Sequence, residues 1–318
     1  MNKSFKFFAK HSSQILLLCV LFILCIFFNC NSKFFLTSKN IYNIFESVSI
    51  YLILAIGMNF VIASGAIDLS AGSMVSLCGV IMALSMHMGI SVKLSITIGI
   101  LSGTIMGFLN GAAIHFTSIN AFVITLATAS IYRGLALILT KGIPITKFPN
   151  DFLFFGKSQV DKINPSIIIA IIVFIVSMIL MHKVKWGQYI KALGGNKSAL
   201  QRVGVKCGIY RITCHMALGI LASLVGLIIT ARLNCAEANA GLGMELDSIT
   251  AVIMGGTLMS GGNAKLFGTA ISVLLLGVIR NGLTILSVSS YYQQFFIGIL
   301  LFFSVVFAEF RKRKKIQI

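Results

Sequence analysis

Charge is scarce in this chain. Asp, Glu, Lys and Arg make up 11 % of its 318 residues, against about 25 % in a soluble domain, which excludes an ordinary water-solvated globule. Acids are scarcest, with eight in all: Glu46, Asp68, Asp151, Asp161, Glu237, Glu245, Asp247 and Glu309. No HExxH or GxxxxGK[ST] occurs, so there is no zincin helix and no P-loop to cradle a nucleotide's phosphates. No GxSxG elbow occurs either. The five histidines are scattered, mostly near expected membrane interfaces. Enzyme chemistry therefore finds no constellation to stand on. The seven cysteines show no C-x-x-C spacing, which leaves buried free thiols as the expectation and removes zinc and disulfide frameworks. The basic, apolar N-terminus has no small-residue cleavage site after it, and Phe-Phe-Asn before Cys30 is a poor lipidation context. An uncleaved first span is expected.

Apolar side chains are abundant instead, at 57 % of the chain, with a mean hydropathy of +0.96. Runs long enough to cross a ~30 Å hydrocarbon core recur throughout. The expected fold is an all-α polytopic membrane protein forming one transmembrane domain over residues 1–318. Ten spans are expected at 14–29, 41–63, 69–88, 93–116, 119–140, 165–182, 212–231, 246–260, 266–288 and 291–308. The eighth is short and ends in glycine, and the third starts raggedly in "GAIDLSAGS", so some helices are expected to be discontinuous.

The net charge of +18 is concentrated. Fifteen of 26 Lys and Arg fall on Lys3, Lys6 and Lys10, on the loop 183–211, and on the tail 309–318. Clusters flanking apolar spans follow the positive-inside rule and suit an anionic lipid surface. Without interleaved exposed aromatics they do not suit nucleic acid. Ten spans place all three clusters, and both termini, in the cytoplasm.

"FLNGAAI" echoes "IRNGLTI", and "IDLSAGSMVSL" echoes "MELDSITAVIM". An offset of five spans would make these the halves of an inverted repeat of five plus five. A carboxylate near hydrocarbon costs roughly 2.5–3.5 kcal/mol, so Asp68 and the Glu245/Asp247 pair, at span mouths, should face protein or water. Asp68 with Ser70 is expected to cap a helix; a part in shaping a permeation path stays open. Arg133 is expected to snorkel, and Arg280 to serve helix packing or a cavity. Gly99, Gly103 and Gly107 are expected to allow close helix contact. In the basic loop Asn196 is a good N-cap and Gly204 a good stop. Between them lie about two turns whose small apolar face is Ala199, Leu200 and Val203, ringed by Lys197, Gln201 and Arg202. So short a helix needs something to dock against.

"SGAIDLSAGSMVSL", "FVITLATASIYRGLAL", "GQYIKALGGNKSALQRVGV", "NAGLGMELDSITAVIMGGTLMSGG" and "VSSYYQQ" follow in order over roughly residues 35–308. Together they resemble the permease subunits of sugar-importing ABC transporters of the ribose type. The resemblance implies a second permease copy, a cytoplasmic ABC ATPase that carries ATP and Mg, and an extracytoplasmic sugar-binding protein, with no cofactor in this chain. It maps a coupling helix onto Gly194, Gly195, Asn196, Lys197, Ala199, Leu200, Val203 and Gly204. Lys197 and Ser198 depart from the acidic residue or proline usual after this asparagine, and Ala66 from a usual glycine. Because a sugar presents hydroxyls, neutral polar side chains are expected along the path: Asn110, Thr125, Asn281, Tyr292 and Gln293, beside Asp68 and Ser70. A nucleoside, an autoinducer-type sugar derivative or a branched-chain amino acid are alternative cargoes. An ion-coupled carrier is the alternative class.

Overall fold

A computed structural model describes residues 3–117, 119–157 and 163–316. Asp161 and the last two tail residues lie outside them, as do the side chains of Lys3, Lys6, Lys10, Glu309 and residues 311–315. The helices are α1 (Lys3–Asn31), α2 (Ser38–Ala63), α3 (Ala71–His87), α4 (Val92–Thr117) and α5 (Ala121–Thr140). After a short strand β1 (Ile145–Thr146) come α6 (Asn150–Lys157), α7 (Pro165–Lys183), α8 (Lys185–Gly195) and α9 (Lys197–Arg202). The chain closes with α10 (Cys207–Leu233), β2 (Cys235–Ala236), α11 (Met244–Met254), α12 (Leu266–Ile285) and α13 (Ser290–Ile316).

Among the described residues, seven helices are long and apolar enough to cross a bilayer: α1, α2, α4, α5, α7, α10 and α12. The molecule is thus an all-α polytopic membrane protein. The expected third span loses its ragged start, since α3 begins at Ala71 and has 17 residues. The expected eighth span shrinks to the 11 residues of α11, about 16 Å of helix. Neither the segment 141–164 nor the basic loop is plain coil, for α6 lies in the first, and α8 and α9 fill much of the second.

Short polar side chains start the helices. Thr37 accepts from Asn40 N, Asn120 from Phe122 N and Asn164 from Ser166 N, with Pro165 at the first position of α7, where its missing N–H is no loss. Burial then sorts the bundle. In α2 and α10, 72 % and 61 % of the apolar window is buried, against 6 % in α1 and 17 % in α5. So α2 and α10 sit at the centre with α3, which is buried on every side, while α1 and α5 turn most of their surface outward. Glycine permits the tightest contact. A Cβ on Gly103 or Gly219 would strike the other residue's carbonyl, and one on Gly107 would strike His215. This close approach of α4 and α10 is the expected role of Gly103 and Gly107; Gly99 instead accommodates the Met82 side chain of α3.

The two strands pair antiparallel, Ile145 with Ala236 and Thr146 with Cys235. They tie the chain after α5 to the chain after α10. Since α10 starts beside α9 and ends at β2, this ribbon and the α8–α9 segment lie at opposite ends of the bundle, about 40 Å of helix apart.

Candidate functional site

The first of three polar features fills the break between α2 and α3. Helix α2 stops at Ser64, Gly65 turns with φ +83°, and α3 starts after Ser70. Between them Asp68 has no exposed surface. Its Oδ1 accepts from the Ser70 amide at 2.8 Å and the Ser70 hydroxyl at 2.6 Å. Its Oδ2 accepts from Asn110 Nδ2 at 3.1 Å and faces His215 Nδ1 at 2.7 Å. Asn110 Nδ2 also donates to Ser70 Oγ at 2.8 Å, and the Tyr132 hydroxyl lies 3.0 Å from Asn110 Oδ1. Thr125 Oγ1 reaches the Ile67 carbonyl at 3.3 Å. Four donors from three segments converge on one carboxylate, which removes the heavy penalty of burying it unpaired.

This corrects two expectations. Asp68 caps nothing: Ser70 holds the cap position of α3, and its side chain makes no capping bond. The aspartate is a buried cross-brace joining the broken helix to α4 and α10. His215 is not interfacial either. Helix α10 begins at Cys207, before the expected start at 212, so His215 lies two turns inside and is fully buried. The structure brings together Asp68, Ser70, Asn110 and Thr125, four of the residues expected along a path, and adds Tyr132 and His215, which the sequence did not single out.

The second feature is a cavity of about 270 Å³ between α2, α11 and α12. An ion pair lines it. Arg280 Nη2 donates to Asp247 Oδ2 at 2.6 Å, and Arg280 Nη1 donates to the Tyr51 hydroxyl at 2.7 Å. The guanidinium also stacks 5.0 Å from the Tyr51 ring centre, a cation–π contact. Asn43, Ser47 and Ser248 add polar atoms, while Ala251, Val273 and Leu276 form an apolar wall. The Ser248 hydroxyl is buried without a hydrogen-bond partner. The lining of this cavity thus holds two charges that pair with each other, beside its neutral polar groups. The cavity role expected of Arg280 is the one observed.

The other candidates on this side divide. Asn281 lines the cavity, but its amide is engaged with Asn40 in a reciprocal pair at 2.8 Å in both directions. Gln293 donates to Thr284 Oγ1 at 3.2 Å, at the cavity edge. Tyr292 is 62 % exposed and lines nothing here. Arg133 does not snorkel. It donates to Ser76 Oγ at 3.0 Å and to the carbonyls of Ala238 and Ala240, pinning the chain before α11.

The third feature is the α8–α9 segment. Asn196 Oδ1 accepts from Ala199 N at 2.9 Å, and Gly204 turns with φ +80°, as cap and stop were expected to do. The apolar face is different. Leu200 is 7 % exposed and packs within this chain, against Leu193 and Cys207. Val203 is 74 % exposed, and Lys197, Ala199 and Arg202 are exposed as well. What orders the short helix is therefore its own chain, and the free face is the one with Val203. At the end of α8 the backbone meets other backbone directly. A Cβ on Gly194 would strike Ala63 O and meet Gly262 N at 2.5 Å, and one on Gly261 would lie 2.7 Å from Gly65 N. Gly262 N donates to Ala63 O at 3.0 Å. Trp186 of α8 stacks edge-on against Phe60 of α2 and donates to Thr213 of α10 at 2.9 Å.

The same rigid elements connect the second and third features. Helix α2 runs from the cavity at Tyr51 to the α8 contact at Ala63, about 18 Å. Helix α12 runs from just past Gly262 to the cavity at Arg280. A bundle of apolar spans with a broken central helix, a polar cavity, and a docked amphipathic segment at the far end of the same helices defines a multi-pass membrane transport protein.

Comparison with known proteins is consistent with that class. Residues 40–305 match the family described as the permease component of branched-chain amino acid transport systems. The chain belongs to this permease family. It is 37 % identical to the ribose import permease protein RbsC of Bacillus subtilis, over 90 % of this chain and 89 % of the relative. It is 34 % identical to the ribose import permease protein RbsC of Escherichia coli, over 91 % of each. It is 35 % identical to the D-allose transport system permease protein AlsC of Escherichia coli, over 89 % of this chain and 87 % of the relative. No solved structure matches the chain.

Proposed function

We propose that this chain is the membrane-spanning subunit of an ABC importer that moves a monosaccharide, ribose or a near relative, inward across a bacterial cytoplasmic membrane. One observation carries this most directly. The α8–α9 segment is wedged, backbone against backbone, onto the ends of the helices whose other ends line the cavity. Force applied to that segment reaches the cavity through rigid rods. The chain has no P-loop of its own, so the reading assigns ATP and Mg to a separate cytoplasmic ATPase, docked on the exposed face of Lys197, Ala199, Arg202 and Val203. Leu200 supports that surface from within, and Gly194, Gly195, Asn196 and Gly204 shape the turns that bound it. A sugar-binding protein would deliver cargo on the opposite side, and a second copy of the chain would complete the pathway. ATP and partner must bind the inward- and outward-open states with different affinity to drive the switch.

Seven long helices become ten crossings when α3, α11 and α13 are added, which puts both termini in the cytoplasm. The inverted repeat is supported by α3 and α11, two short helices each entered through non-helical chain. They meet where a Cβ on Gly72 would strike Glu245 and the Gly241 carbonyl. Half-helices in matching positions are a recurring transporter plan.

A second reading, an amino-acid cargo, is favoured by the Asp247–Arg280 pair, whose charges could each face one end of a zwitterion. The sugar reading ranks first because the two charges already satisfy each other and the relatives are named for ribose and allose. The test is uptake by the assembled transporter of labelled ribose against labelled leucine. Ribose uptake alone supports the proposal, and leucine uptake alone replaces it with the second reading.

A further inference from the structure

We infer that the cavity between α2, α11 and α12 is a binding site for a neutral polyol, and that Arg280, Asp247, Tyr51 and Ser248 read its hydroxyl groups. This rests on the sugar-permease reading above and adds the site to it. The chemistry of the lining narrows the ligand class. Arg280 and Asp247 are 2.6 Å apart, so the cavity offers no net charge to attract an isolated anion or cation. Hydrogen-bonding capacity remains nonetheless. Among the described residues, the guanidinium donates to Asp247 and Tyr51, two of its five N–H groups. The carboxylate has roughly four acceptor sites, one of which Arg280 takes. A donor fork and an acceptor pair side by side match a vicinal diol, in which each hydroxyl both gives and accepts.

Two further observations point the same way. Ser248 stands on the turn of α11 next to Asp247 and lines the cavity, yet its hydroxyl is buried without a partner. Such groups are rare and call for an occupant. The cavity's other wall, Ala251, Val273 and Leu276, is apolar, which suits the C–H face of a sugar ring. At about 270 Å³ the space lies just under the ~300–1,000 Å³ of sites that hold drug-sized ligands, so it fits one small molecule. The location also has a use. The cavity sits about 18 Å along α2 from the α8 contact, where a tilt of that helix would reshape it.

The test places a reporter thiol in the wall. Ser47 is half-buried in α2 and lines the cavity. In the complete transporter, Ser47→Cys is labelled with a small charged methanethiosulfonate, and wild type gives the background of the native cysteines. Ribose should slow the labelling several-fold and leucine should not. Arg280→Gln in the same background should remove the protection and lower ribose uptake at subsaturating sugar by about 10- to 100-fold, the effect of losing a charged hydrogen bond. Should Arg280→Gln fail to reach the membrane, the protection of Ser47→Cys by ribose decides alone. Labelling that ribose leaves unchanged, in a transporter that imports ribose, overturns the site while the function stands. Absence of labelling overturns it too, since the cavity would then be closed to water. Protection by leucine overturns the polyol assignment. A wild-type assembly that imports no sugar overturns the underlying reading instead.

Discussion

Replacing Asp68 by asparagine changes one atom's hydrogen-bonding sense in a fully buried site, and the surrounding donors fix the consequence. The carboxylate accepts the Ser70 amide and hydroxyl on Oδ1, and Asn110 and His215 on Oδ2. In the amide one of those positions becomes an NH₂. If it faces Asn110 and His215, the Asn110 amide meets a donor; if it faces Ser70, the backbone N–H does. Either way at least one buried donor loses its acceptor, at about 1–3 kcal/mol for each group left unsatisfied. Removing one partner of a buried charged pair sets an upper range of about 3–5 kcal/mol. A destabilisation of a few kcal/mol is thus expected from Asp68→Asn, and more from Asp68→Leu. Purified protein in detergent, heated and assayed by size exclusion for the folded fraction, should lose it several degrees earlier than wild type. Asp151→Asn, at an exposed position of α6, is the control and should change nothing. Combining Asp68→Asn with His215→Asn should cost less than the two singles together, by about 0.5–3 kcal/mol, because the residues are in contact. Equal melting of the Asp68 and Asp151 variants, or strict additivity with His215, would refute the cross-brace.

Three further outcomes follow from the same geometry. Gly194→Val drives side-chain atoms into Ala63 O and the Gly262 backbone and should cut sugar uptake at least tenfold; Gly134→Ala, with nothing near its Cβ position, should be silent or gain up to ~1 kcal/mol of helix stability, read as uptake and melting. Val203→Asp should abolish pull-down of the ATPase from detergent extracts and leave melting unchanged, whereas Leu200→Asp, buried in its own chain, should lower melting as well. Arg133→Ala should loosen the chain before α11, seen as faster proteolysis within residues 234–243, while Arg133→Lys, lacking the planar fork, should restore only part of the protection.

Much of this architecture was readable from residue patterns. The long spans announce themselves by apolar runs, and the helix stop at Gly204 and cap at Asn196 follow from local backbone chemistry that no distant contact alters. The misses have physical causes. Helix α8 is too polar to stand out by hydropathy, although Trp186, Tyr189, Ile190 and Leu193 recur at helical spacing and mark it. Cys207 to Arg211 lower the local hydropathy, so hydropathy alone starts α10 at 212 and hides how deep in the helix His215 lies. Which carboxylate meets which base is a property of tertiary packing. Nothing local in "IYRG" says that Arg133 will find carbonyls at Ala238 and Ala240, and nothing local in "IRNG" says that Arg280 will meet Asp247. Leu200 and Val203 sit three residues apart on one predicted face, yet only the fold reveals that Leu200 turns into the chain and Val203 away from it.

The central claim is that this chain carries a path but no motor. The most direct measurement is ribose uptake into sealed proteoliposomes containing the purified chain alone, the chain with its ATPase, or both with the binding protein, each with and without ATP. Accumulation above the outside concentration should appear only in the complete assembly with ATP, and should vanish when ATP is replaced by a non-hydrolysable analogue. Concentrative uptake by the chain alone, or uptake driven by an ion gradient without ATP, would contradict the account.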